Sequence, residues 1–125
     1  MSYWEAEYEK LLFLTQYNFK VYNYSTGRYA AICMITDECC ITYHEWPQFG
    51  DFNIIITKNL EDLKHYKFQQ VYSYQWLINN IYDKYKKAHN CKWWSNIKHI
   101  DLFVFYLHDQ IENHKNIFGV PIDQV

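Results

Sequence analysis

Tyr29-Ala30-Ala31-Ile32-Cys33-Met34-Ile35, with Cys39-Cys40-Ile41-Thr42-Tyr43-His44-Glu45-Trp46 and Ile54-Ile55-Ile56 after it, is the stretch that decides the fold. The first and last runs scarcely alternate, as in strands covered on both faces, whereas the middle run mixes polar and apolar residues. Together they read as the middle of a small antiparallel sheet. Cys33, Cys39, Cys40 and His44 also concentrate here, so the same stretch is a candidate both for a site and for a core.

On its N-terminal side, Phe19 to Tyr24 is extended, and Ser25-Thr26-Gly27-Arg28 turns the chain back, with Gly27 free to take a positive φ. Asp37-Glu38 then joins the strand Tyr29 to Thr36 to the strand Cys39 to Trp46, and Pro47 to Asp51 leads into Phe52 to Thr57. Connections this short favour a meander over parallel crossovers. Ahead of the strands, Ser2-Tyr3-Trp4-Glu5 has the spacing of a capping box, and Trp4, Tyr8, Leu11, Leu12 and Thr15 recur at helical steps, which predicts a helix ending near Tyr17.

Beyond the strands, Asn59 is placed to cap a short helix running to about Tyr66. Val71, Tyr74, Ile78, Ile81 and Tyr85 form the clearest helical stripe, closed by Asn90. A last helix is expected from about Trp93 to His114 on Trp94, Ile97, Ile100, Val104, Leu107 and Ile111, although the run Leu102 to Leu107 also fits a buried strand. Phe118-Gly119-Val120-Pro121 is expected to end regular structure. The expected fold is α+β, with an N-terminal helix, a four-stranded antiparallel β-meander and two to three C-terminal helices packed on the sheet. Residues 1–125 are read as a single compact domain, long enough to bury a core without metal or disulfide staples.

Half of the residues are hydrophobic, yet the mean hydropathy is negative, because 13 of them are Tyr with a polar tip. Five Trp add further amphipathic rings suited to contact surfaces. A/T-rich codon usage accounts for the same bias, since Tyr, Phe, Ile, Asn and Lys abound while Arg28 is the one arginine. Glu5, Glu7 and Glu9 stand where a signal peptide needs positive charge, and the longest apolar run is far short of the roughly 20 residues of a membrane span. The expectation is a cytoplasmic chain with free thiols and no membrane partner.

Charge is segregated: residues 1–62 carry a net −5, residues 63–98 a net +6 and residues 99–125 a net −3. Such blocks bear on partners and steering rather than on fold. In the basic block, Lys84, Lys86, Lys87, His89, Lys92 and Lys98 surround Trp93 and Trp94, a combination able to hold a phosphate backbone and stack bases, or to meet an acidic protein face. These eight residues are the candidate binding residues.

The other chemistries find less support. Zinc sites offer paired ligands two to four residues apart, whereas Cys33, Cys39, Cys40, Cys91, His44 and His89 lack that spacing, and on a strand Cys39 and Cys40 point to opposite faces. Tyr43-His44-Glu45 resembles a catalytic run to the eye, but a strand turns His44 away from both neighbours. Gly27, Gly50 and Gly119 are isolated, so no glycine-rich loop cradles a nucleotide. No catalytic residue, metal or cofactor is therefore expected, and Cys33, Ile35 and Ile55 are read as packing positions.

These features point to a non-enzymatic protein-binding module, a small inhibitor of a larger protein or ribonucleoprotein effector. The profile resembles small cytoplasmic proteins of conflicts between phages, mobile elements and bacteria, a group that includes anti-CRISPR and toxin-immunity proteins; no motif assigns a family. The basic segment 84–98 would meet an acidic face or bound RNA of the target, or the acidic residues 1–62 would mimic nucleic acid. A small RNA- or DNA-binding domain using the Lys/Trp cluster is the alternative, and a thiol- or metal-dependent enzyme the second alternative.

Overall fold

Short turns return each strand beside the one before it, and the product is a five-stranded antiparallel sheet in sequence order. The computed structural model describes residues 4–90 and 97–122. Strand β1 spans Lys20–Asn23, β2 Ala30–Ile35, β3 Cys40–Trp46, β4 Asp51–Thr57 and β5 Gln70–Ser73. The first four fall where the sequence places them. The fifth corrects the expectation of four: Val71, which has helical spacing to Tyr74 and Ile78, pairs instead with Ile55 at the edge of the sheet. The helix that follows starts later because Ser73 caps it, its hydroxyl accepting from the Trp76 amide at 3.2 Å, and the freed residues gain ladder hydrogen bonds from β4.

Helix α1 covers Glu5–Leu11 and tightens into a 3₁₀ segment, Leu12–Tyr17, which Asn18 ends in the left-handed conformation at φ 70°. Ser2 of the expected capping box lies outside the described residues, and among the described residues no side chain caps this helix. In α2, Leu60–Lys64, the Asn59 side chain accepts from the Asp62 amide at 2.8 Å, as its cap position requires. Helix α3, Tyr74–His89, ends on left-handed Asn90, and α4 runs His99–His114. The expected start of α4 near Trp93 is corrected, since Ile97 and Lys98 are not helical. The apolar run in α4 is helical rather than extended, with Ile100, Phe103, Leu107 and Ile111 buried at three- and four-residue steps. A two-residue hairpin, β6 Asn116–Ile117 with β7 Val120–Pro121, continues regular structure past its expected end, around Gly119 at φ 85°.

Strand alternation divides the sheet into two unlike faces. On the inner face, Val21, Ile32, Met34, Ile41, Tyr43, Phe52, Ile54 and Ile56 join Leu11 and Leu14 of the N-terminal segment, Leu77 and Ile81 of α3, and Ile100, Phe103 and Leu107 of α4 in one hydrophobic core. On the outer face, Cys33, Cys40 and Ile55 are buried but stand apart from that core. The three longer helices thus all serve one side. The sequence reads β2 and β4 as strands covered on both faces; the helices supply the cover of the inner face. Among the described residues, no helix is long and apolar enough to cross a membrane.

Candidate functional site

The basic segment occupies the last turns of α3 and the entry to α4. A helix C-terminus favours cations there, because its carbonyls carry the negative end of the helix dipole. Several of its side chains are nonetheless occupied within the fold. Lys84 Nζ donates to Asp109 Oδ1 at 3.1 Å, and the ammonium of Lys86 lies 5.2 Å from the centre of the Tyr82 ring. His89 packs edge-on against Tyr85 and Phe105. Lys87 and Lys98 are exposed, with Lys98 flanking the first turn of α4. Lys92, Trp93, Trp94 and Cys91 lie outside the described residues. The structure therefore brings Lys84, Lys86, Lys87 and His89 to one helix end, with two of the lysines already engaged.

A second assembly, absent from the sequence expectations, sits where the end of β3 meets the start of α4. Tyr43 Oη donates to Glu45 Oε2 at 3.1 Å, and His99 Nδ1 donates to the same oxygen. The His99 ring is flanked by Phe52 and Tyr74, with centroids 4.9 and 4.2 Å away. Burial works to raise the Glu45 pKa, but the His99 and Tyr43 donors together outweigh it and hold the carboxyl below its usual value. Tyr43 moves the other way: burial, then the neighbouring Glu45 charge, pushes its phenol well above the ordinary range.

Glu7, Ile97, Lys98 and Ile100 complete the walls of a cavity of about 230 Å³ around these groups. Among the described residues, the lining supplies an imidazole oriented by a carboxylate and no serine, threonine or cysteine. Its hydrogen bonds join β3 to the first residue of α4. Sequence reading could not find the pair, because Glu45 and His99 are 54 positions apart and Glu45 stands beside the wrong histidine, His44, which faces the opposite side of the sheet.

The outer face is the third region. Its register sets Tyr22, Cys33, Thr42, Ile55 and Val71 in one row across the sheet, and Lys20, Ile35, Cys40 and Thr57 in the next. Ala31, His44, Asn53 and Ser73 make a third row, with Trp46 opposite Asp51 beyond it. Lys20 and Asp51 are the only charged residues at these strand positions. An antiparallel sheet normally turns polar side chains to the side its helices leave open, and this one does not.

Aromatic rings line its margin. Tyr22 neighbours Tyr24, and Tyr29 lies 5.6 Å from both His44 and Trp46, with Phe49 edge-on to Trp46 at 4.9 Å. Burial lowers the pKa of His44, against the pull of Asp51, so the imidazole favours its neutral form. His44 Nδ1 and Trp46 Nε1 are buried without a hydrogen-bond partner among the described residues. Each such atom costs on the order of 1–3 kcal/mol, so this end of the face is not arranged for stability alone.

The thiols follow the alternation expected of them. Cys39 joins the inner core and contacts the Thr36 hydroxyl, while Cys40 faces outward beside Cys33. Cys33, Cys39 and Cys40 are all free. Among the described residues, no group of three or more His, Cys, Asp or Glu side chains is placed to hold a metal ion. The chain matches no protein-family model, no curated protein and no solved structure.

Proposed function

We propose that the chain is a non-enzymatic protein-binding module, an inhibitor that seats the outer face of its sheet on a larger protein or ribonucleoprotein effector, of the kind used in phage and bacterial conflict. One observation carries this reading: the exposed large hydrophobic residues gather on this face and its surroundings. Tyr22, Tyr24, Phe49, Tyr66, Phe68 and Val71 are between 41% and 81% exposed. Tyr22 and Val71 close the two ends of one outer row, Tyr24 and Phe49 extend the aromatic margin, and Tyr66 and Phe68 lie in the connection leading into β5. Exposed apolar side chains of this kind support a contact region, and aromatic side chains dominate the energetics of such regions.

Charge selects the class of partner. A nucleic acid is held chiefly through its phosphates by lysine and arginine, and the strand positions of this face offer Lys20 opposed by Asp51. An apolar, uncharged protein surface fits them better. The basic end of α3 is then a flanking contact, with Lys87 and Lys98 free to meet an acidic rim or bound RNA.

The test places a photo-crosslinking residue at Tyr22, at Val71 or at Lys87 in the native host, with the captured species identified by mass spectrometry. The expected result is one partner, captured from Tyr22 and Val71 and lost when Tyr24→Glu is added to the same chain. Capture from Lys87 alone, or capture of RNA, would move the interface to the basic segment. Capture of a second copy of this chain, together with a dimer in sedimentation, would replace the inhibitor reading with self-association.

A further inference from the structure

We infer that Cys33 and Cys40 form a two-thiolate site for a soft monovalent cation, Cu(I), on the outer face of the sheet. The placement is fixed by register. Cys33 of β2 stands opposite Thr42 of β3, Cys40 lies two residues before Thr42 on the same face, and Thr57 of β4 stands opposite Cys40, so thiol and hydroxyl alternate along a zigzag across three strands, with the two thiols diagonal to each other. All four side chains are buried. Both sulfurs reach the same hydroxyl oxygen, Cys33 Sγ at 3.5 Å and Cys40 Sγ at 3.7 Å from Thr42 Oγ1.

Coordination number decides which metal this arrangement suits. Zinc asks for four ligands, and no third His, Cys, Asp or Glu joins the pair among the described residues. A soft cation content with two thiolates needs nothing more, and thiolate ligands select Cu(I) over harder ions. The two sulfurs then stand about 4.5 Å apart, twice a metal–thiolate bond of roughly 2.3 Å, a separation that two neighbours of one hydroxyl can adopt. A disulfide suits the pair less well. Diagonal neighbours on adjacent strands have their α-carbons about 7–8 Å apart, beyond the usual reach of an S–S bond.

Binding expels the two thiol protons and adds one cation, leaving a bis-thiolate complex of net charge −1. The Thr42 hydroxyl, within reach of both sulfurs, is placed to donate to one of the thiolates, whereas the Thr57 hydroxyl donates to the Asn59 carbonyl at 2.8 Å.

The experiment is an anaerobic titration of the reduced full chain against the coloured Cu(I) complex of bicinchoninate. The wild type is expected to withdraw one Cu(I) per chain, and Cys39→Ser and Cys91→Ser to do the same. Cys33→Ser and Cys40→Ser should each lose the ion, and Thr42→Val should weaken it by about 10–100-fold, as loss of a group supporting the ligands does. No withdrawal by the wild type, full binding by the Cys33→Ser/Cys40→Ser chain, or loss of binding in Cys39→Ser or Cys91→Ser would overturn the assignment. If a cysteine variant fails to fold, X-ray absorption on the copper-loaded wild type decides. Two sulfur neighbours at one copper per chain support the site, and three or more sulfurs overturn it.

Discussion

The two faces of the sheet use the same strands and nearly the same lack of charge, yet only one of them is joined to the helical core. The inner face sends Val21, Met34, Ile41, Tyr43 and Ile54 into a cluster that α1, α3 and α4 complete. The outer face carries small residues at its centre, Cys33, Cys40, Thr42 and Thr57, and aromatic rings around them. The difference teaches that non-alternating strands report a sheet meant to be covered twice, without saying by what. One cover comes from the chain. The proposal is that the other comes from a partner.

The sharpest way to break this contrast is Phe103→Ala. Its ring is wholly buried on the inner face, 5.6 Å from Tyr43, and truncation is expected to cost about 3–5 kcal/mol in urea unfolding. A cost near that of a surface change would mean the inner face is not the core.

His99→Ala should be next in size. It leaves the Glu45 carboxylate with Tyr43 as its one remaining donor among the described residues, at a cost of about 1–3 kcal/mol. Because the folded pKa of Glu45 is lowered, its contribution is present above the unfolded value of 4.5 and is lost as pH falls through the lower folded value. Glu45→Gln should therefore flatten the acid limb of a stability-versus-pH curve below 4.5. An unchanged limb would show that the pair does not join β3 to α4 energetically.

The outer face has its own titrating group at a different pH. The folded pKa of His44 is also lowered, so the unfolded chain binds the proton more readily, and stability present above 6.5 declines as pH falls below it. His44→Gln should remove that decline between pH 6.5 and the onset of the Glu45 effect, which denaturant melts at a series of pH values would resolve. An equal decline in the variant would place the titration elsewhere.

Val71→Lys is expected to have the smallest effect on stability, within about 0.5 kcal/mol, because the side chain is exposed on an edge strand. Partner capture from Tyr22 should nevertheless fall at least tenfold in that chain. A loss of stability comparable to that of Phe103→Ala would mean that the outer face is already packed within the monomer.

Much of the architecture was legible in the residues. Turn residues and short connections gave the first four strands, Asn59 announced α2, and the stripe from Tyr74 to Tyr85 announced α3. Val71 misled because its spacing to Tyr74 satisfies a helix as well as a strand end, and only the Ser73 cap separates the two. The start of α4 was set too early for a related reason: Ile97 continues the apolar period without being helical. Of the candidate site, the lysines at the end of α3 were visible as a charge run, but their engagement was not, since Lys84 meets Asp109 from another helix. The pairing of Glu45 with His99 left no trace in either local sequence.

By itself, then, the sequence determined what depends on neighbours along the chain: the first four strands, α2 with its cap Asn59, the end of α3 at Asn90, and the opposite facing of Cys39 and Cys40. These follow from backbone periods of two and about 3.6 residues and from side chains that reach their own backbone. Tertiary structure alone decided which face of the sheet the helices take, which thiols share a hydroxyl, and which histidine Glu45 holds. Those choices depend on contacts between distant segments, and their energies arise only once the sheet has fixed where each segment lies.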